Sequence, residues 1–395
     1  MYAIKLELKL NNVERTLMAQ HAGFSRFVYN YGLALYKQVM DIKGGLTKKI
    51  SAIRKVLTNF TKKKPEFTWM NQLSSRVYQN ALIALKNGLT RFFKGLGKFP
   101  VFKRKKDRDS FAVDSSNGLV TVSAGNKIKI PTLGTFKLHE PVPFTCASQT
   151  FTLSRQSDKW YVSFAIQADK LPPLMHEVEK VGIDLGVTTF ATFSDGTKEC
   201  APTSIKQAKI KLAKLQWRNR HKQLGNKKLG IPVSNKAKKY YKQVANLHSR
   251  ISNIRRDFLQ KLTTDISRKC YQIRIEDLNI SGLMANSKLA DAISTLGLYE
   301  FRRQLTYKQS MFGTVVELVD RWFPSSKTCS DCGHIQPMKL SERVFHCQGC
   351  GSVKCRDFNA SLNLENAPPE KVRRASPELN DCGEEGADTP RRSSK

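Results

Sequence analysis

Residues 329–363 read CSDCGHIQPMKLSERVFHCQGCGSVKCRDFNASLN. Two Cys-x-x-Cys pairs, Cys329/Cys332 and Cys347/Cys350, stand fourteen residues apart, each followed by a glycine, Gly333 and Gly351. Four thiolates at this spacing match a zinc ribbon, with the glycines allowing tight turns under the metal. A tetrahedron closed by four sulfurs leaves no open position, so one structural Zn²⁺ is expected, with His334 and His346 as bystanders or nucleic-acid contacts. Asp357 follows seven residues after Cys350 and precedes FNASL, a helical pattern.

Two further acids lie far upstream at the ends of apolar runs. Asp184 sits in GIDLG (182–186), flanked by Gly182 and Gly186, and Glu276 ends the run YQIRI (271–275). Burying a carboxylate such as Asp184 is costly without a partner or a metal. Each acid alone has an ordinary explanation. Asp184 can also be an exposed turn residue, Asp357 a helix cap, and Glu276 with its neighbour Asp277 solvated acids at a strand end. The residues do not decide between Glu276 and Asp277; strand alternation puts the two on opposite faces. Taken together, three dispersed carboxylates suit a two-metal phosphodiesterase centre, where hard oxygen ligands hold two divalent ions about 4 Å apart.

The formal net charge of +34 is concentrated. Residues 1–110 carry 23 Lys+Arg against 6 Asp+Glu, and residues 201–270 carry 19 against 2; the rest is balanced at 25 of each. Both basic segments are interleaved with aromatics, and a polyanion such as RNA or DNA is the natural counter-charge. No run of about 18 apolar residues is present, which excludes a membrane span. Met1–Leu10 lacks an apolar signal core, so a cytosolic protein is expected. Nine cysteines there do not suggest disulfides. Cys146, Cys200 and Cys270 read as small buried hydrophobes.

Along the chain, residues 2–10 alternate as a strand. Residues 13–40, 47–58 and 72–95 carry helical spacing, and 110–170 break into short β-rich runs. The lone first strand is expected to join the later ones, since it cannot stand alone. A strand and hairpin follow at 181–193. Long basic helices span 203–270, interrupted near 225–234, with a strand at 271–275, a helix over 290–312 and a strand at 315–319. Beyond Ala367 the composition of Pro, Glu, Gly, Ser and Arg predicts disorder.

The blocks FPVFKRKKDRDSF (99–111), GIDLGVTTFATFSDG (182–196), IRIEDLNISGLMAN (273–286), LGLYEFRRQLTYK (296–308), RWFPSSKTCSDCG (321–333) and RDFNASLN (356–363) together resemble the TnpB (OrfB) family of insertion sequences. These are compact relatives of type V CRISPR effectors. The resemblance implies an α/β multi-domain chain. It places a β-barrel wedge domain at 1–10 and 100–178, a helical recognition domain at 11–99, an RNase H-like RuvC domain at 179–322 and 354–366, a zinc-ribbon target-nucleic-acid-binding module at 323–353, and a disordered tail at 367–395. It also implies Asp184, Glu276 and Asp357 as the Mg²⁺-binding (or Mn²⁺-binding) triad, choosing Glu276 over Asp277. The activity implied is RNA-guided cleavage of both strands of duplex DNA by one site, in a monomeric ribonucleoprotein that reads a short adjacent motif.

Gln79 and Asn80 have the amide chemistry for base edges. Lys103, Arg104, Lys105, Arg218, Arg220, Arg255 and Arg256 are candidate nucleic-acid contacts. Where the family often has Asp-Arg-Asp, this chain has Cys355-Arg356-Asp357, a change expected to bear on metal affinity. Two alternatives are a nuclease-inactive RNA-guided repressor and a transposition accessory protein. A tyrosine transposase is disfavoured, because none of the seven histidines forms a His-x-His pair.

Overall fold

The computed structural model describes residues 2–38, 44–105, 109–166, 175–222, 225, 229–339 and 341–375. They form two compact units, within residues 1–169 and 170–380.

The first unit begins with β1 (Tyr2–Lys9), whose Leu6 and Leu8 point inward at alternate positions. A capping box starts α1 (Asn12–Gln38): the Asn11 N–H donates to Glu14 and the Glu14 N–H to Asn11, both at 2.8 Å. Then come α2 (Leu46–Asn59) and α3 (Ser75–Phe93). The strands follow: β2 (Ser110–Asp114), β3 (Val120–Val122), β4 (Gly125–Ile130), β5 (Gly134–Val142), β6 (Cys146–Ser148), β7 (Thr150–Gln156) and β8 (Lys159–Ile166). Six pair antiparallel in the order β2-β7-β8-β1-β5-β4, and β3-β6 is a separate ribbon. The first strand joins the later ones, as expected.

Among the described residues no pairing joins β2 to β4. The helices share their apolar core with this sheet. Phe24 and Val28 of α1 and Leu85 of α3 share one apolar cluster with Phe111, Trp160 and Val162 of the sheet. His21 stacks on Phe111 at 5.6 Å. Removing the helical segment would therefore strip one face of the sheet.

The second unit opens with β9 (Val178–Leu185), β10 (Ala191–Phe193) and β11 (Lys198–Glu199), followed by α4 (Thr203–Arg218) and α5 (Asn235–Lys269), the latter capped by Ser234. Next are β12 (Cys270–Glu276), α6 (Ile280–Ala285), α7 (Ser287–Leu296), α8 (Leu298–Phe312) and β13 (Val315–Val319). The knuckle hairpin β14 (Val344–His346) and β15 (Val353–Cys355) leads into α9 (Arg356–Glu365) and β16 (Val372–Arg374). The sheet order is β11-β10-β9-β12-β13-β16, with β9, β12 and β13 parallel. β9 carries a continuous buried run, Val181–Ile183, while β12 and β13 bury alternate residues such as Ile273, Ile275, Val316 and Leu318. Helices α5 and α8 pack with the central strands, as does α9.

The helix expected over 290–312 is two helices broken at Gly297. The tail expected to be disordered from 367 is ordered at its start. Val372–Arg374 adds an antiparallel edge strand to β13, with Val319 opposite Val372. Residues 376–395, the remainder of that expectation, lie outside the described residues, as do Lys106–Arg108. Cys200 is exposed, not buried. No helix among the described residues is long and apolar enough to cross a membrane.

Candidate metal centres and their supports

Asp184 lies one residue from the end of β9 and Glu276 is the last residue of β12. The parallel register sets Ile183 beside Ile275, so the two carboxylates leave adjacent strands at the same carboxyl-terminal edge. Open α/β sheets place their ligands at this edge. Asp357 comes from the first turn of α9, which packs on β9 and β12.

Three contacts position α9. A Cβ on Gly182 would lie 2.1 Å from the Ser361 carbonyl oxygen and 2.5 Å from the Glu365 nitrogen, so the helix crosses β9 at a distance that only glycine permits. At the far end, Arg274 donates to the Glu365 and Ala367 carbonyls, both at 2.8 Å, a cation at a helix C-terminus. At the near end, buried Asn359 and Asn363 reach into the loop before the first cysteine. Each donates to the Thr328 carbonyl at 2.6 Å; Asn363 also donates to Ser325, and Asn359 accepts from the Ser330 N–H.

The acids sense one another's charge, and Asp357 is paired with Arg356 at 3.1 Å. Burial, then the charges of Asp357 and Glu276, push Asp184 from 3.8 up to about 7, with Arg356 opposing. Burial, followed by Asp277, also raises Glu276. Among the described residues neither Asp184 nor Glu276 has a hydrogen-bond or ion-pair partner. Asp277 is spoken for: it accepts from Arg373 at 2.7 Å, Arg302 at 2.8 Å and Arg321 at 3.3 Å. Burial works against its charge, but Arg373, Arg302 and Arg321 hold it below the ordinary carboxylate range. Glu276 is thus the acid left available. The donor set of Asp184, Glu276 and Asp357 is hard oxygen and suits Mg²⁺ or Mn²⁺.

The knuckle is a second candidate metal centre. Its four sulfurs lie within 4.8 Å of one another, with Cys332–Cys347 at 3.5 Å and Cys329–Cys350 at 3.7 Å. A tetrahedral zinc with sulfur at about 2.3 Å has edges of about 3.8 Å. The same turn is used twice: Gly333 N–H donates to Cys329 O and Gly351 N–H to Cys347 O, both glycines at φ 75°. Backbone N–H groups of Cys350 and Gly349 donate to the Cys347 sulfur and hold its thiol down at about 6. The four cysteines fit a zinc ribbon.

Because Asn359 and Asn363 tie the knuckle to α9, zinc removal should do more than melt the knuckle. We expect one zinc per chain by elemental analysis, and its chelation to lower both stability and any Asp357-dependent activity. Activity unchanged after complete zinc loss would refute this coupling. Cys355, which ends β15, is half-buried, with Lys198 Nζ 3.6 Å from its sulfur.

The candidate nucleic-acid residues fall in both units. Asn80 donates to Asp114 and to the Arg76 carbonyl, which leaves only its amide oxygen for a base, and Gln79 accepts from Arg76 at 3.3 Å. Lys103 lies over the Tyr29 ring at 4.1 Å, its pKa lowered by burial. Arg104 and Lys105 are exposed. Arg218 and Arg256 are exposed on α4 and α5, Arg220 stacks on Trp217 at 4.0 Å, and Arg255 donates to the Ser294 carbonyl. Sequence reading missed Asn359 and Asn363 as ties, and the arginines on Asp277. Two asparagines four residues apart on one short helix were the available signal.

The fold's likeness to the Cas12f1 protein of a cryo-EM Cas12f1–sgRNA–target DNA complex has a TM-score of 0.53 at 15% identity, covering 91% of this chain and 82% of that one. Residues 161–287 match the OrfB_IS605 family model, described as "Probable transposase", and residues 299–364 match the "Cas12f1-like, TNB domain". Residues 1–41 match a "Helix-turn-helix domain"; the described part is one strand and one uninterrupted helix, β1 and α1. A Streptomyces pristinaespiralis protein provisionally described as an RNA-guided DNA endonuclease is 35% identical over 77% of this chain and 74% of its own. An Escherichia coli K12 protein with the same provisional description, InsQ, is 31% identical over 92% and 91%. The chain belongs to the TnpB (OrfB) family.

Proposed function

We propose that this chain is an RNA-guided, Mg²⁺-dependent endonuclease that cuts both strands of duplex DNA at one carboxylate centre of RuvC type. The observation that carries the reading is Asp184. It has no hydrogen-bond or ion-pair partner among the described residues, and burial, Asp357 and Glu276 push it up to about 7 against the opposing charge of Arg356. A carboxylate crowded by two others at a sheet edge calls for a divalent cation. Asp184, Glu276 and Asp357 would hold two Mg²⁺ (or Mn²⁺) ions, which when bound supply an activated water and stabilise the leaving 3′ oxygen. The protein's part is to hold three oxygens in register: Gly182, Arg274, Asn359 and Asn363 seat Asp357, and three arginines keep Asp277 out of the site.

RNA guidance is supported by the relatives' descriptions and by the two basic segments. Base pairing would read sequence, while Lys103, Arg104, Lys105, Arg218, Arg220, Arg255 and Arg256 contact backbone. Residues 1–10 and 100–178 would act as the wedge and 11–99 as the recognition element, with Gln79 and the Asn80 oxygen toward the adjacent motif. The knuckle would guide target strand.

The test is to purify the chain with its bound RNA, sequence that RNA, and offer a plasmid carrying the matching target. Linearisation that needs Mg²⁺ and Asp184 is expected. A preparation that carries no RNA, or cuts equally with Asp184→Ala, would sink the proposal. RNA affinity should fall steeply with salt, the log–log slope tracking the phosphates neutralised; a flat response would remove residues 201–270 as the RNA surface.

A further inference from the structure

The block RWFPSSKT carries a residue that neither metal centre uses. Trp322 is 85% exposed, while its neighbour Phe323 packs inward against the cluster of Val319, Leu364 and Ala367. An indole is a large apolar surface to leave in water, and the backbone turn that carries it is fixed. The Trp322 N–H donates to Asp320 Oδ1 at 2.8 Å, the Phe323 N–H to the Asp320 carbonyl at 2.9 Å, and the Asp320 N–H to the Lys371 carbonyl at 2.8 Å.

Its place in the sheet gives it meaning. Val319, the last residue of β13, is the register partner of Glu276, and its carbonyl accepts from the Asp277 N–H. Trp322 stands three residues further on, at the carboxyl-terminal edge where Asp184 and Glu276 also emerge. Arg321, beside it in sequence, shares Asp277 with Arg373 and Arg302. One carboxylate against three guanidinium groups leaves a positive surplus. The side chains of Arg321 and Arg373 remain 41% and 53% exposed while Asp277 fixes their direction. An oriented cationic pair beside an exposed indole matches a single nucleic-acid strand: phosphates for the arginines, a base face for the ring.

We propose that Trp322, Arg321 and Arg373 form a strand-gripping subsite for single-stranded DNA, which stacks a base of the strand entering the carboxylate centre. The proposal rests on the nuclease reading for its setting. Duplex DNA offers no free base face, so the subsite selects strand that has already been separated. Trp322 is a positioning residue here, and Asp277 aims its two arginine neighbours.

The test uses the full chain with Asp184→Asn to prevent cutting, and an oligothymidylate about 12 nucleotides long as probe. Trp322→Ala should weaken its binding about 10-fold, with Trp322→Phe recovering most of the loss. Arg373→Gln should flatten the log–log salt slope by about 0.7, the value of one phosphate on a single strand. In the cutting-competent chain, Trp322→Ala should raise the DNA concentration for half-maximal rate while the saturated rate, bound RNA and zinc content hold. Oligothymidylate that binds the Trp322→Ala chain as it binds the parent, or binds neither, overturns the subsite. Trp322-dependent binding in a chain that never cuts DNA would keep the subsite and reject the nuclease reading.

Discussion

Replacing Asp184 by Asn should abolish cleavage and, in the metal-free protein at pH 8, increase stability. The loss of rate is expected to be at least about 1,000-fold, because on the proposed function the variant removes one charged ligand from a centre whose catalysis is electrostatic. The gain in stability follows from linkage. Asp184 ionises near 3.8 when unfolded and near 7 in the fold, raised by burial and then by Asp357 and Glu276. A carboxyl raised by folding contributes most below pH 4, and that contribution falls away as pH climbs to 7. Above pH 7 the native state holds a charge that Arg356 only partly offsets, a cost capped at about 4 kcal/mol by the size of the rise and nearer about 2 kcal/mol with solvent screening. Asn has no such charge, so the two proteins should unfold alike below pH 4 and diverge between pH 4 and 7. Mg²⁺ should stabilise the parent and shift the variant little. A variant less stable than the parent at pH 8 without metal would mean that Asp184 has a structural partner.

That prediction depends on what local sequence does and does not reveal. The cysteine pairs and the strand around Asp184 were legible because spacing and apolar run are local. The choice between Glu276 and Asp277 was not. Both end the same strand, and the difference lies in three arginines 25, 44 and 96 residues away, from α8, the turn after β13 and β16. Strand β16 itself was read as disorder because three residues in a Pro-, Glu- and Arg-rich stretch carry no period; only pairing to β13 makes them a strand. The helical segment was legible as helix but not as part of a shared core, since burial against the sheet depends on contacts such as His21 on Phe111. Asp357 gained its weight from context, and the structure supplies that context as hydrogen bonds from Asn359 and Asn363 to the knuckle loop.

Gly182→Ala should disable the same centre without touching a carboxylate. The added methyl would sit 2.1 Å from the Ser361 carbonyl oxygen and 2.5 Å from the Glu365 nitrogen, both backbone atoms of α9 that no rotamer change can move aside. Either β9 or α9 must shift by about 1 Å to restore contact distance. The shift is resisted at both ends of the helix, by Arg274 on the carbonyls of Glu365 and Ala367 and by Asn359 and Asn363 on Thr328. We therefore expect destabilisation of about 1–3 kcal/mol. We also expect at least about 100-fold slower cleavage, because a displacement of about 1 Å in a positioned group has that effect. Zinc content should be unchanged, since the four cysteines lie outside the clash, and bound RNA should be retained. Thermal unfolding, zinc stoichiometry and single-turnover cleavage measured on one preparation separate these outcomes. Parental cleavage in a normally folded Gly182→Ala chain would show that Asp357 does not need the close seat of α9 on β9, and would take Asp357 out of the proposed metal site.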